Sequence, residues 1–182
     1  AKVTGPGITD PIEATGTVSS GKGLTLGNIP EGNQRVITVT GKLGASGAWL
    51  AATQQGKTLE PMDAEKLRRA HLRPKPCLKE GAALRTAGVR CAMDISDGLA
   101  ADAGKLLRSS GLAARIYAYK LPVHPYLKEA FPEDWLDLAL HGGEDYQLLF
   151  AASPEIMEHV LPLLPRPAVV VGEVLAGDSG RI

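Results

Sequence analysis

The chain has 182 residues, 44% of them hydrophobic, so it can bury a core and is close to the usual size of one domain. Twenty basic and twenty acidic residues give a formal net charge of zero, and the basic residues form no stripe of the kind that nucleic-acid binders carry. The apolar runs are much shorter than the roughly 20 residues that a membrane span needs. We therefore expect neither nucleic acid nor a membrane as a partner.

The cysteines and histidines bear on the cellular compartment and on whether a metal site is expected. The two cysteines, Cys77 and Cys91, have no paired spacing, and the N-terminus shows no secretory signal, which favours a reducing cytoplasm. The four histidines are too far apart to form a local metal motif, so surface or packing roles are expected for them.

The N-terminal stretch differs in composition from the rest of the chain. Residues 1–31 are rich in Gly, Thr, Ser and Pro with little apolar periodicity, which predicts a tail and linker. The chain starts in this stretch without an initiator Met, so we expect that a further segment precedes it in the natural protein. Residues 32–182 are expected to form the main domain.

Regular elements are predicted from residue 35 onward. The alternating, β-branched segment RVITVT predicts a strand at 35–40. LGASGAWLAATQQG predicts a helix with Ser46 available as a cap near its start and Gly56 at its end. DAEKLRRAHL predicts a second helix with Asp63 as its N-cap, stopped by RPKP at 73–76.

Helices and strands continue to alternate along the second half of the chain. In order, the patterns predict a short helix from Leu78 to Gly88, a strand at VRCAMDI, an amphipathic helix from Leu99 to Gly111, a strand at AARIYAY, a helical region at Tyr126–Leu140, a strand at QLLFAA, a helix capped by Ser153 with Pro154 at its first position, and a last strand at AVVVGEV. This alternation predicts the α/β (α+β) class, a mixed sheet with packed helices.

The turn Asp94-Ile95-Ser96-Asp97-Gly98 carries the clearest chemistry. Asp94 and Asp97 are carboxylates, and Mg²⁺ prefers such oxygen ligands together with substrate phosphates. Ser96 and the first amides of the next helix are suited to bind a phosphate, helped by the helix dipole. Gly98 lets a ligand approach the backbone. The pattern indicates a cation and phosphate site.

A purely structural role competes with that interpretation. Ser96 and Asp97 stand directly before an apolar helix, where such residues are ordinary N-caps, and Asp94 can simply end a strand. From the spacing alone, capping is the more common reason for this pattern.

A second acidic motif, Gly142-Gly143-Glu144-Asp145-Tyr146, follows a flexible glycine pair and precedes a strand. Backbone in such a place can come close to a ligand, and Glu144 is suited to hold a cationic or hydroxyl group. A tight turn with solvated acids is the alternative, and the motif alone slightly favours it.

Two further acids near the C-terminus, Glu173 and Asp178, are expected to be surface residues without a role.

Several segments, taken in order, resemble thiamine-monophosphate kinase. The main ones are AMDISDGLAAD at 92–102, SSG at 109–111, LP at 121–122 and ALHGGEDYQLLF at 139–150. VTGKLG at 39–44, RPKPCLKEG at 73–81 and VVGEV at 170–174 are similar as well, so the resemblance covers roughly residues 8–178. Two long motifs in the right order make it specific.

The resemblance implies a fold and an activity. That family belongs to the superfamily of aminoimidazole ribonucleotide synthetase, which joins an ATP-binding N-terminal domain to an α/β C-terminal domain. Residues 1–31 would then be the tail of the first domain and linker, and 32–182 the second domain. The implied reaction transfers the γ-phosphoryl group of ATP to thiamine monophosphate, giving thiamine diphosphate, in a protein that forms homodimers.

The same resemblance implies roles for individual residues. Asp94 and Asp97 would bind Mg²⁺, Ser96 would contact the phosphates of ATP, and Glu144 would lie at the thiamine substrate. Asp145 is a weaker candidate. Nothing in the motifs implies a separate catalytic nucleophile or base.

Departures from the family pattern limit the expectation. The acid-rich motifs of the N-terminal domain are absent, because the match begins near that domain's last strand, and the segment that helps enclose the thiamine ring is missing after Ile182. Ala45 replaces an acid, Cys77 a basic residue and Gln147 a glutamate. We expect this fragment alone to be inactive.

Two alternatives to the kinase remain open. One is another enzyme of the superfamily, such as a selenophosphate synthetase or a hydrogenase maturation factor, against which the GGEDY segment argues. The other is a non-catalytic module kept for folding or assembly, which the missing N-terminal acids favour.

Overall fold

The computed structural model describes residues 34–177 and 180–182, together with the backbone of two short strands nearer the N-terminus. These strands, β1 (Lys2–Val3) and β2 (Ile12–Glu13), pair antiparallel. The rest of the predicted tail and linker, and Asp178, lie outside the described residues.

Five strands form the central sheet of the domain. They are β3 (Val36–Thr40), β4 (Cys91–Ile95), β5 (Ala113–Ile116), β6 (Gln147–Ala152) and β7 (Ala168–Leu175). Their spatial order is β4-β6-β3-β7-β5, and each neighbouring pair is antiparallel. The predicted α/β (α+β) class is confirmed, with antiparallel pairing in the sheet.

Helices cover both faces of this sheet. They are α1 (Ala45–Gln55), α2 (Pro61–Leu72), α3 (Leu78–Thr86), α4 (Leu99–Ser110), α5 (Pro125–Ala130), α6 (Trp135–His141) and α7 (Pro154–Val160). In β6, Leu149 packs in the cluster that includes α4 and α6, whereas Phe150 packs with α3 and α7 on the other face. Burial on both faces explains why β6 is a nearly continuous apolar run. A third cluster joins α1, α2 and α5.

Two predicted helix caps are wrong. Helix α1 begins after Gly44, and the Ser46 side chain is buried, with its hydroxyl 2.8 Å from Nδ1 of His71. Helix α2 begins at Pro61, before Asp63, because proline already has the helical φ and needs no amide at the first position. Asp63 lies in the first turn and pairs with Lys66 at 3.1 Å.

Two other elements differ in extent from the prediction. The predicted helical region at 126–140 is two helices, α5 and α6, because Pro132 lies between them and cannot continue the hydrogen-bond ladder. The strand predicted at AARIYAY ends at Ile116, and Ala118–Lys120 forms a 3₁₀ turn. The remaining predicted strands and helices are present with bounds shifted by a few residues.

The register brings four loops to one edge of the sheet. Ile95 at the end of β4 pairs with Gln147 at the start of β6, and Thr40 at the end of β3 pairs with Ala168 at the start of β7. The turn after β4 and the loop before β6 are therefore neighbours at this edge. Within the described part of the chain, no helix has the length and apolar character to cross a bilayer.

Candidate functional site

The turn between β4 and α4 depends on a glycine. Gly98 is the N-cap residue of α4 and has φ 103° and ψ 151°, a conformation that is essentially restricted to glycine. A Cβ atom on Gly98 would lie 2.9 Å from the carbonyl oxygen of His141, at the end of α6. The missing side chain therefore lets the turn sit directly against the backbone that leads into the second acidic motif.

A buried acid that the sequence analysis assigned no role holds this turn in shape. The side chain of Asp102 is fully buried, and its Oδ2 accepts hydrogen bonds from the backbone N–H groups of Ser96 and Asp97, both at 2.9 Å. The N-cap interpretation of Ser96 and Asp97 is wrong, because Gly98 holds the cap position and no side chain caps the helix from there. Both side chains are left for other contacts.

The second motif is joined to the first through the backbone. The N–H of Glu144 donates to the carbonyl oxygen of Ser96, and the N–H of Tyr146 donates to that of Ile95, each at 2.8 Å. Gly143 permits the approach, because a Cβ there would lie 2.7 Å from the Ser96 carbonyl oxygen. The two motifs thus form a single structural unit.

Two residues of the second motif adopt left-handed backbone conformations. Glu144 has φ 67° and Tyr146 has φ 48°, which is uncommon for residues with a side chain. Such strained conformations cluster at binding and catalytic sites. As a consequence, Glu144 is exposed and Asp145 is buried, although the two residues are adjacent in the sequence.

The negative charges of Asp94, Asp97 and Glu144 all act on Tyr146, and we call these three acids the acidic corner. The hydroxyl of Tyr146 donates to Oε1 of Glu144 at 3.3 Å. Partial burial and the negative charges of Glu144, Asp94 and Asp97 raise the pKa of Tyr146 above its usual value. The structure therefore brings together acids that are 50 residues apart in the sequence, between Asp94 and Glu144.

The acidic corner has the ligands for a hard cation. Asp94 is half-buried, and neither its carboxylate nor the Ser96 hydroxyl has a hydrogen-bond or ion-pair partner among the described residues. Within 34–177 and 180–182, no three His, Cys, Asp or Glu side chains form a ready-made metal cluster. Two carboxylates of this chain would need further oxygens from phosphates, water or another segment, which is common for Mg²⁺.

Sequence reasoning missed a cation at this corner. The ammonium group of Lys105, one turn into α4 from Asp102, forms ion pairs with Asp97 and with Asp102, the latter at 2.8 Å. Hydrogen bonds to Asp102 and Asp97 raise the pKa of Lys105. The spacing of Asp102 and Lys105, three residues apart on a helix, is the signal that indicates this pair in the sequence.

Asp145 has a structural role at the start of α1. Its Oδ2 accepts from the N–H of Gly44 at 2.7 Å and its Oδ1 from the N–H of Ser46 at 3.4 Å, so it caps α1 from a distant part of the chain. Burial raises its pKa to about 7, against the opposing effect of these amides. Asp145 therefore replaces the local cap that Ser46 was predicted to provide.

A model of the family described as AIR synthase related protein, C-terminal domain, matches residues 31–182. The chain belongs to this family. Within it, the thiamine-monophosphate kinase of Methanopyrus kandleri is 36% identical over 166 residues, which are 89% of this chain and 50% of that protein. The chain thus spans about half the length of the curated relatives it matches.

Solved structures show the same C-terminal fold. The thiamine-monophosphate kinase of Stenotrophomonas maltophilia K279a aligns with a TM-score of 0.75 and 32% identity, covering 84% of this chain and 50% of that one. AaThiL complexed with AMPPCP and TMP aligns with a TM-score of 0.72 and 32% identity over 85% of this chain and 49% of that one.

In this AIR synthase related domain, a pocket of about 340 Å³ opens beside Glu144. It lies between α1 and α6 and is lined in part by Ser46, His71, Leu138, His141 and Gly142. Gly47 and Gly142 meet there, because a Cβ on Gly47 would lie 3.0 Å from the Cα of Gly142. Glu144 therefore faces both the acidic corner and a space for a small molecule.

Other residues singled out in the sequence lie elsewhere in the domain. Glu173, on β7, is paired with Arg115 and Tyr117, each at 2.8 Å, on the far side of the sheet from β4. Cys77 and Gln147, two departures from the family pattern, are adjacent to each other, with the Cys77 Sγ 3.5 Å from Oε1 of Gln147.

Proposed function

We propose that the full-length protein containing this chain is a thiamine-monophosphate kinase, which transfers the γ-phosphoryl group of ATP to thiamine monophosphate. The observation that carries the proposal is the pair of backbone hydrogen bonds by which Glu144 and Tyr146 join the turn after β4. These hydrogen bonds hold together the two motifs that resemble this enzyme family and that contain the residues of the acidic corner. Relatives carrying that name, and a solved complex of AaThiL with AMPPCP and TMP, support the assignment.

We assign roles to the three acids of the acidic corner and to Ser96. Asp94 and Asp97 hold Mg²⁺, the Ser96 hydroxyl donates to a phosphate of ATP, and Glu144 contacts the thiamine substrate. The open Asp94 carboxylate and the unpartnered Ser96 hydroxyl fit these roles. When bound, the metal neutralises phosphate charge and orients the reacting groups.

The proposed phosphoryl transfer does not require a side chain that acts as a general base. The accepting group is a phosphate oxygen that is already ionised near neutral pH, so the difficulty is to hold several anions in line. Positioning and charge neutralisation can supply most of the acceleration. Lys105 contributes a positive charge at the corner and keeps Asp97 oriented. Asp102 fixes the turn without contacting substrate.

The assembly around the domain is also proposed. We infer that residues 1–31 are the tail of an ATP-binding N-terminal domain and linker, that 32–182 form the C-terminal domain, and that the full-length protein is a cytoplasmic homodimer. The resemblance in the sequence supports these inferences, and the even charge balance and buried free cysteines fit them. The remaining metal ligands are expected from the N-terminal domain.

The test is a kinase assay of the full-length protein with Mg²⁺, ATP and thiamine monophosphate, following thiamine diphosphate. Asp94→Asn and Asp97→Asn are each expected to lower kcat by about 100-fold or more, since they remove charge where phosphate charge must be neutralised. Glu158→Gln is the control, because this exposed glutamate lies on α7, beyond the opposite end of β6. Near-normal turnover in both aspartate variants would refute the site assignment.

The two alternatives give different results in the same assay. Another enzyme of the superfamily would bind ATP but leave thiamine monophosphate unphosphorylated. A non-catalytic module would show no Mg²⁺-dependent binding of ATP at all. Glu144→Gln separates substrate recognition from metal binding, because it should raise the KM for thiamine monophosphate more than the KM for ATP.

A further inference from the structure

Helix α2 has a cationic face that the proposed kinase site does not use. Lys66 and Arg69 are three residues apart and lie on one side of the helix, and Arg73 follows directly after its last residue, Leu72. Leu67 is fully buried and anchors the helix to the α1 and α5 cluster. The cationic side chains are exposed, and they face a cleft rather than open solvent.

This cleft, which we call the cationic cleft, has a volume of about 750 Å³. Its basic lining residues come from four segments and are Lys42, Lys66, Arg69, Arg73, Lys75 and Arg166. Pro74, Pro122 and Pro167 form parts of its walls, which limits backbone movement there. The volume lies in the range of small-molecule sites, about 300–1,000 Å³.

Most of this positive charge is not neutralised by the protein. Asp63 pairs with Lys66 at 3.1 Å, and the buried Glu80 lies 3.6 Å from Nε of Arg166. Lys42, Arg69, Arg73 and Lys75 have no hydrogen-bonded or ion-paired acid among residues 34–177 and 180–182. Four uncompensated cations in one cleft stand out in a chain whose formal net charge is zero.

Two titratable groups in the lining, His124 and Asp145, do little to neutralise these cations near pH 7. Burial, followed by the charges of Lys42 and Lys66, lowers the pKa of His124 to about 4, so this imidazole is neutral near pH 7. Asp145 lines the floor, but its carboxylate is bonded to the amides that begin α1, and burial raises its pKa to about 7. Asp145 therefore offsets the cations less than a solvated carboxylate would.

One cation is fixed in position before any ligand binds. Nη1 of Arg166 donates to Oε1 of Gln147 at 3.1 Å and contacts the Cys77 sulfur at 3.1 Å. The His124 and Tyr126 rings, stacked with centroids 4.7 Å apart, provide a flat aromatic wall. The cleft thus combines flexible cations, a fixed guanidinium and an apolar surface.

We propose that the cationic cleft is a second binding site, for a small molecule that carries phosphate. Guanidinium groups bind phosphate oxygens in pairs, so Arg69 and Arg73 would hold the phosphate and the lysines would add charge. Binding here needs no metal, because the protein itself supplies the positive charge. That distinguishes it from the acidic corner, where carboxylates repel a phosphate unless a cation intervenes.

The test is a titration of the chain with pyrophosphate in a chelator-containing, metal-free buffer, with KCl adjusted to keep the ionic strength constant. Saturable binding is expected, and the double variant Arg69→Gln/Arg73→Gln should weaken it about tenfold or more. The matched control is Arg68→Gln/Arg85→Gln, which removes the same charge from exposed positions outside the cleft. It should change the Kd less than about twofold, the effect left after screening.

Two more variants establish where the pyrophosphate binds. Lys42→Gln changes a different segment, so a weaker affinity there shows that a distorted α2 is not the cause. Asp94→Asn should leave pyrophosphate binding unchanged, because the acidic corner is a different site. Equal weakening by the variant and control pairs, dependence on Asp94, or absence of saturable binding would each overturn the proposal.

Discussion

Two groups of carboxylates share one edge of the sheet but have opposite surroundings. The inner acids, Asp102 and Asp145, are buried and accept hydrogen bonds from backbone amides. The outer acids, Asp94, Asp97 and Glu144, are half-buried or exposed, and their charges act on Tyr146. Inner and outer acids come from the same two sequence motifs, so acidity alone does not reveal the role of either group.

This difference indicates that the two groups of acids have different functions. Asp102 holds the amides of Ser96 and Asp97 in place, and Asp145 holds the start of α1. Among the described residues, the outer acids contact side chains only, Asp97 with Lys105 and Glu144 with Tyr146, so their oxygens stay within reach of solvent or a ligand. We infer that the inner acids set the shape and the outer acids supply the chemistry, which separates effects on stability from effects on activity.

The largest expected effect is on stability, from Asp102→Ala. The change leaves the two backbone amides without their acceptor, and at about 1–3 kcal/mol for each amide this destabilises the chain by about 2–5 kcal/mol. Urea unfolding of the chain measures the change. Glu158→Ala, at an exposed position on α7, should stay within about 0.5 kcal/mol. A loss below about 1 kcal/mol for Asp102→Ala would contradict the assigned role.

The second prediction concerns pH and the other inner acid. Burial raises the pKa of Asp145 from 3.8 to about 7, so between these values the folded chain binds more protons than the unfolded chain. Its contribution to stability is therefore complete below pH 3.8 and is lost as the pH rises through about 7. The loss is on the order of 2–4 kcal/mol.

Asp145→Asn isolates this contribution, because the amide oxygen can still accept from Gly44 but does not titrate. The wild-type chain should lose stability relative to Asp145→Asn as the pH rises from about 4 to about 7, as measured by unfolding at several pH values. Parallel profiles of the two proteins would show that Asp145 is ionised throughout and stabilised by the helix amides.

Local patterns in the sequence predicted much of the fold. The amphipathic helix from Leu99, the closing Gly111 and the apolar strand before Asp94 follow from periodicity and terminator residues, which act over a few positions. The caps of α1 and α2 were not predictable in the same way. Asp145 caps α1 from about 100 residues away, and no local pattern contains that contact.

The acidic corner was also predicted only in part, because local patterns do not contain contacts between distant parts of the chain. The motifs containing Asp94 and Glu144 are visible in the sequence, but their contact depends on the pairing of β4 with β6. The choice between Glu144 and Asp145 depends on left-handed backbone angles that no spacing rule predicts. Whether Asp94, Ser96, Asp97 and Glu144 act as assigned stays a prediction for the assays above.

The third prediction compares two glycines with positive φ. Gly98→Ala should destabilise the chain by roughly 2–3 kcal/mol, because the turn conformation is restricted to glycine and the new Cβ would lie 2.9 Å from the backbone of His141. Gly88→Ala has nothing within 4 Å of the new Cβ, so only its φ of 83° opposes the change, by about 1 kcal/mol. Thermal unfolding of both variants gives the difference. Equal losses would mean that the approach of Gly98 to α6 has no energetic weight.

The smallest expected effect on stability belongs to an outer acid, Asp97. Its carboxylate is 62% exposed and pairs with Lys105, which is 45% exposed, and exposed ion pairs contribute about 0–1 kcal/mol. Asp97→Asn should therefore change the free energy of unfolding by less than about 0.5 kcal/mol, even though it is expected to abolish most of the kinase activity. Paired urea-unfolding and kinase measurements on the full-length protein test both parts. A stability loss as large as that of Asp102→Ala would mean that Asp97 supports the turn, and the division between inner and outer acids would fail at the residue where it is sharpest.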